Sequence, residues 1–363
     1  MPTFEPTPEQ RMLMEAAGRL AEQELRPAAA EAEEAGEVPR PVIDKGWGLG
    51  LLPASLPEEF GGLGERSALT SALAAEELGW GDLSAALAIL APSAFALPIL
   101  GAGSADQRRT YLPRFTGEAW PLLFAAVVEP TFDFDPAAPA TAVDQANGGY
   151  RMHGEKSWVP YADRAEALLV LARDRDRVQA FVVPADAQGV VIKGRERLLG
   201  LGALPLFRVG FENVPLGGES RIGGEAGADV EPMLAAARVA TAALAVGLAR
   251  AAYEYALRYA KDRHAFGVPI AQKQAIAFML AEMATEIAAI RLLVWEAAWL
   301  LDRGEPAGRA AHLAHLGASD MAMMVTDRAV QVLGGHGYIR DHPVERWLRE
   351  ARAIASLCGL VMV

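Results

Sequence analysis

The 363-residue sequence has a single cysteine, Cys358, so no internal disulfide can form, and the chain suits a reducing compartment. Aromatic residues are scarce, at 7%, while alanine is abundant, a balance that favours closely packed helices. Basic residues are outnumbered, 34 against 46 acidic, and the resulting net charge of −12 argues against nucleic acid and anionic membranes as partners. It does not exclude a phosphorylated ligand held by local arginines. The opening MPTFEPTPEQR has neither a basic n-region nor an apolar h-region, and no uninterrupted apolar run reaches the roughly 18 residues of a membrane span. A cytoplasmic protein is expected. No GxGxxG opens a helix after a strand, so a nicotinamide site is not expected. His312 and His315, like His336 and His342, lack a carboxylate or cysteine at ligand spacing, so no metal site is expected either.

A chain of this length suits two or three domains. Residues 1–120 read as helices, with an apolar stripe from Glu9 to Leu25 that Pro27 should bend or end, and further helices over Leu69–Leu78, Leu83–Leu100 and Ala105–Leu112. Residues 121–226 carry short β-branched runs between polar and Gly/Pro turns, which predict a small antiparallel β domain. Within it, Asp133–Ala146 reads as a mobile loop, a turn separates Gly149–His153 from Lys156–Val159, and the Phe207–Phe211 strand ends at Asn213 and Pro215. Residues 227–363 return to helix, with Glu231–Asp262, Ile276–Leu301, Ala307–Leu333 and Pro343–Leu357 predicting a four-helix bundle. Leu313 and Leu316 are assigned to the apolar stripe of the third.

Two stretches carry chemistry. Arg263–Gln274, RHAFGVPIAQKQ, joins two long helices and offers a forked cation, a flat ring at Phe266 and a glycine that admits close approach. Gln331–Arg352, QVLGGHGYIRDHPVERWLREAR, ends a helix in a glycine turn and opens another at Pro343. Taken together, RxxFGxxxxxxQ, QxxGGxGY and PVERxxREAR resemble the acyl-CoA dehydrogenase family of flavoproteins, in order and in spacing. PEEFGGLG, AAEELGWGD and ADQRRTYLPRFTGE resemble its first helical domain.

The resemblance implies a mainly α fold with a central β domain, an FAD cofactor between β domain and bundle, and a homo-oligomer, dimer or tetramer. It implies that Arg263, Phe266 and Gln274 meet the diphosphate and adenosine end of FAD, with Gln331, Gly334 and Gly335 as the facing wall. Trp158 would pack on the flavin, and Arg238 and Gly359 would lie near an acyl-CoA thioester. The implied reaction is α,β-desaturation with hydride transfer to flavin N5, electrons passing to an electron-transfer flavoprotein or a similar acceptor.

The sequence departs from the family at the reacting end. The family's T-E-P-x-x-G-S is here Val128, Glu129, Pro130, Thr131, Phe132, Asp133, Phe134, and K-x-W-I-T is Lys156, Ser157, Trp158, Val159, Pro160. The usual base position holds Cys358 and the alternative one Ala237, while Leu360 replaces a hydroxyl. A thiol is a weak base at neutral pH. Glu345 and Glu350, set among Arg346, Arg349 and Arg352, read as a surface ion-pair ladder. Two alternatives stand beside the dehydrogenase: a non-catalytic subunit of the same fold paired with an active one or with a related chain, and a flavin monooxygenase, which needs no α-base.

Overall fold

The computed structural model describes residues 5–146 and 148–363. The N-terminal part holds α1 (Pro8–Leu20), α2 (Arg26–Ala35), α3 (Arg40–Trp47), α4 (Leu51–Ser55), α5 (Ala68–Gly81), α6 (Leu83–Leu90), α7 (Ser93–Ala102) and α8 (Ala105–Tyr111). Thr7 and Gln10 form a capping box that starts α1. Pro27 does not end this first helix. A π-helical turn over Ala21–Leu25 comes first, with the Arg26 N–H donating to the Ala21 carbonyl, and the chain runs on into α2. The wider turn sits just before the residue that has no N–H to give.

Seven strands follow: β1 (Leu123–Ala126), β2 (Ala142–Ala146), β3 (Gly149–Pro160), β4 (Ala167–Asp174), β5 (Arg177–Pro184), β6 (Val190–Arg195) and β7 (Leu206–Gly217). The sheet order is β1-β4-β2-β3-β7-β6, with β5 also on β4. The sheet is mixed rather than purely antiparallel, because β1 and β2 both run parallel to β4. Leu123–Ala126 pairs with Ala167–Val170, and Ala142–Val143 pairs with Arg173–Asp174, so β1 and β2 succeed one another along one edge of β4. Residues 127–141 leave that edge and return to it. The run expected to be wholly loop therefore ends in a strand. β3 is continuous through Gly154 instead of being cut by a turn, and β7 continues past Asn213 and Pro215; register shifts at both places absorb the irregular residues.

The C-terminal part is α9 (Glu231–Asp262), a small hairpin of β8 (His264–Ala265) and β9 (Val268–Pro269), α10 (Gln274–Asp302), α11 (Gly308–Leu333) and α12 (Val344–Ile354). α9 is the core helix, buried on most of its circumference. α5 of the N-terminal part lies against it at glycines: a Cβ on Gly79 would stand 2.5 Å from the Leu244 carbonyl oxygen, and one on Gly247 2.0 Å from that of Glu76. Two segments, Leu83–Ala102 and Glu231–Asp262, are long and apolar enough to cross a membrane, but 89% of the most apolar 18 residues of each lies buried within the fold. Leu313 and Leu316 are exposed, not core; α11 buries its small residues Ala311, Ala314 and Ala318 instead. With Phe278, Leu292 and Leu293 of α10 they leave apolar side chains uncovered on the bundle.

Glu350 is also placed differently from expectation. Arg349 does bridge Glu345 and Glu33, but Glu350 is buried between α12 and the start of α6, beside Asp82 and Arg346, with Ser84 Oγ 3.4 Å from its Oε1. Burial, then the neighbouring Asp82 charge, pushes its carboxyl well above the usual range. The folded state keeps a proton that the unfolded state releases near pH 4.5, so this pair weakens the fold as pH rises from that value. Glu350→Gln is expected to raise the melting temperature at pH 8 and to flatten its pH dependence above pH 5. A gain on the order of 1 kcal/mol, the usual size of a single-substitution effect, is the scale. Equal melting curves for variant and parent at pH 8 would contradict it.

Candidate functional site

The excursion between β1 and β2 roofs a cleft of about 1270 Å³ where the sheet meets the bundle. Val128, Glu129, Ser157 and Trp158 line it from the sheet, Phe132, Phe134 and Asp135 from the excursion, Glu196, Leu198 and Arg208 from β7 and the β6–β7 connection. Arg238 of α9, His312 and His315 of α11 and Cys358 after α12 complete it.

Two sequence segments are joined here twice. The Ser157 N–H donates to the Val128 carbonyl, 2.8 Å. The Lys156 ammonium, fully buried, donates to Glu129 Oε1 at 2.8 Å and to the Val127 carbonyl at 3.0 Å. Glu129 also accepts the N–H groups of Ala140 and Thr141, 2.7 and 2.8 Å, which closes the neck of the excursion. Burial pulls the Glu129 carboxyl upward, yet the Lys156 charge and the Thr141 bonds outweigh it and leave it below the ordinary range. Burial brings Lys156 down to about 8 against the opposing pull of Glu129. The geometry, two charged groups in contact with three further hydrogen bonds, supports an ion pair at neutral pH.

β3 bulges between Lys156 and Val159, and Trp158 adopts φ 56 there. A non-glycine residue in that region costs about 1–3 kcal/mol and needs surrounding contacts to hold it. The half-buried indole lines the cleft. Across the cleft, Arg238 is held by Glu231 at 3.3 Å. Cys358 lines the same cleft; burial pushes its thiol up to about 11, against the lowering charges of Arg238 and Lys156. The thiol keeps its proton throughout the neutral range. Gly359 sits behind the wall, in a left-handed turn (φ +71) where a Cβ would stand 2.5 Å from Val127. His315 Nε2 is 3.2 Å from the Ile354 carbonyl oxygen and anchors the end of α12.

The structure thus brings Trp158, Arg238 and Cys358 together, with Ala237 on α9 buried beside Arg238. It does not bring Arg263, Phe266, Gln274, Gln331, Gly334 or Gly335 to this cleft. Those six are exposed on the bundle surface. Arg263 caps α9 and edges a shallower depression with Tyr255, Arg258, Tyr259 and Asp262. Tyr259 Oη meets His336 Nδ1 at 3.0 Å, tying that end of α9 to the Gly334–Tyr338 turn. Nothing stands within 4 Å of a Cβ built on Gly334 or Gly335, so their backbone is open to a ligand.

These residues fit a dinucleotide such as FAD at its phosphate end: a guanidinium, an exposed ring and open glycine backbone. They fit its isoalloxazine ring through the indole wall, but Val128, Pro160 and Leu360 offer no side-chain hydrogen bonds at the ring's polar edge. Sequence reasoning missed Glu196, Phe132 and Phe134 as cleft residues and missed the Lys156–Glu129 pairing. The first three lie in irregular segments without periodicity, and the pair joins segments 27 residues apart.

A helical front, a β-sheet middle and a helical bundle, meeting at a cleft with an aromatic wall and an arginine, define the architecture of the flavin-linked acyl-thioester oxidoreductases. The chain belongs to the acyl-CoA dehydrogenase family: its N-terminal, middle and C-terminal domain models match residues 7–118, 125–214 and 228–359. The cyclohex-1-ene-1-carbonyl-CoA dehydrogenase of Geobacter metallireducens is 37% identical over 361 residues, 97% of this chain and 95% of that one. The mitochondrial short-chain specific acyl-CoA dehydrogenase of Rattus norvegicus is 33% identical over 94% of this chain and 84% of its own length. Among solved structures, butyryl-CoA dehydrogenase from Megasphaera elsdenii superposes with a TM-score of 0.89 at 29% identity, covering 97% of this chain and 95% of the other.

Proposed function

We propose that this protein binds FAD and an acyl-CoA thioester and is an oxidoreductase of the α,β-desaturating type, turning over slowly because residue 358 is not a carboxylate. The observation that carries this reading is the meeting of Trp158, Arg238 and Cys358 in one cleft. FAD supplies the hydride acceptor. The chain supplies the rest: Trp158 is a wall for the ring, Arg238 a positive charge beside the thioester, and the excursion's half-buried Phe134 excludes water from the acyl chain. Cys358 faces the α-carbon and holds its proton, so removal of the substrate's α-proton is the hindered step.

The exposed positions of Arg263, Phe266, Gln274 and Gln331, with the uncovered Leu292, Leu313 and Leu316, support an oligomer in which a second chain closes the nucleotide end. A dimer or tetramer, and a separate flavoprotein as electron acceptor, belong to the same reading. The test is to titrate the purified protein with FAD and follow the visible spectrum, then add a panel of acyl-CoA thioesters anaerobically. Resolved flavin bands that bleach over minutes to hours are expected. Failure to bind FAD at all, with or without thioester, would overturn the reading.

A second reading has one observation in its favour: the protonated thiol at the base position coincides with apolar Val128 and Leu360 at the ring edge. A non-catalytic subunit completing an active partner fits that combination, and inert behaviour alone with activity on mixing would select it.

A further inference from the structure

We propose that Glu196 is the positioning residue for Trp158, the part that sets the plane of the cleft's aromatic wall. The inference rests on the reading above that this wall faces a flavin ring.

Glu196 follows β6 and has only 13% of its side chain exposed. Its Oε2 accepts two bonds from the β3 bulge, the Ser157 hydroxyl at 2.6 Å and the Trp158 N–H at 3.1 Å. Its Oε1 is gripped by Arg208, at 2.9 Å from Nε and 2.8 Å from Nη2. One carboxylate therefore satisfies the backbone donor that the bulge removes from the ladder. It also fixes the residue before it, and is itself fixed from β7.

The need for such a clasp follows from the backbone. Trp158 lies at φ 56, a conformation that side-chain-bearing residues leave unless something holds them. The neighbouring Ser157 N–H is already tied to Val128. The Trp158 N–H is the remaining free handle, and a charged acceptor is the strongest that protein chemistry offers. Without it, the bulge can relax to an ordinary extended strand, which swings the indole off the cleft wall. Glu155, 3.4 Å from Arg208, shares the same guanidinium.

The test measures backbone amide exchange in the flavin-free protein and FAD affinity in parallel, for Glu196→Ala and Glu196→Gln. In the alanine variant, exchange at Trp158 should accelerate by about 10-fold or more, the worth of a bond to a charged acceptor, and FAD should bind about 10-fold more weakly. The glutamine variant keeps one acceptor oxygen for the Trp158 N–H but turns an NH2 toward Arg208, and should fall between the parent and the alanine variant in both. Unchanged exchange at Trp158 in the alanine variant would overturn the proposal. So would a glutamine variant as impaired as the alanine one, because the acceptor oxygen it keeps for the Trp158 N–H would then hold nothing. Should Glu196→Ala fail to fold, Arg208→Gln takes its place, with faster Trp158 exchange expected and unchanged exchange again decisive against. If the parent binds no FAD, the functional reading fails while the exchange data still decide this one.

Discussion

Cys358→Glu is expected to increase thioester-dependent bleaching of the bound flavin by about 10²–10⁴-fold, the usual worth of a placed general base. The argument is geometric and electrostatic. Residue 358 lines the same cleft as Arg238 and Trp158, in the segment after α12. Burial that raises the thiol to about 11 would also raise a carboxyl at the same place, toward the working range of a base. The nearby Arg238 charge limits that rise and keeps the carboxylate accessible. A thiol at 11 is protonated almost entirely at pH 7, whereas a carboxyl raised even two units is mostly ionised there. The check is anaerobic stopped-flow with the acyl-CoA panel, on parent and variant loaded with FAD to the same absorbance. An equally loaded but equally inert variant would show that the ring edge, with Val128, Pro160 and Leu360, is the obstacle instead.

The second large effect concerns stability. Lys156→Met should lower the stability by about 3–5 kcal/mol, since it strands a buried carboxylate that had a full charge against it. Glu129 would keep only the Ala140 and Thr141 donors. The double variant Glu129→Gln, Lys156→Met should recover part of that loss, because no unpaired charge stays buried. Calorimetry of the three proteins at pH 7 decides it. The pair also adds acid sensitivity: Glu129 sits below its ordinary value, so its contribution is complete above about pH 4.5 and disappears as the pH falls through the folded value. A single variant as stable as the parent would mean that the pair is ornamental.

The helices were legible because their signals are local. The limits of α9 follow directly from the apolar run Glu231–Asp262, and α10 opens at Gln274, two residues before the Ile276 that its apolar spacing predicts. The mixed character of the sheet was not legible, since which edge of β4 receives β1 and β2 is decided by contacts across 31 and 44 residues of chain (Ala142 to Arg173, Leu123 to Ala167). The residues of RxxFG and QxxGG stood out by their chemistry, but their exposure was not legible: they lie on the bundle surface, and no periodicity in the surrounding helices signals that. Glu350 shows the opposite failure. A helix-spacing rule placed it with its surface neighbours, while the packing of α12 on α6 buried it. Register singled out Cys358, and the structure places it on the cleft wall; its environment, which sets the thiol's acidity, required the fold.

The neck formed by Glu129 across Ala140 and Thr141 makes the stretch from Pro130 to Pro139 a hoop whose two feet are pinned to the same strand. Such a hoop can be lengthened, shortened or exchanged without shifting the register on either side. Chains sharing this framework could diversify their acyl preference by replacing one short cassette, and a chimaera made by grafting that cassette from a relative is the natural way to transplant it.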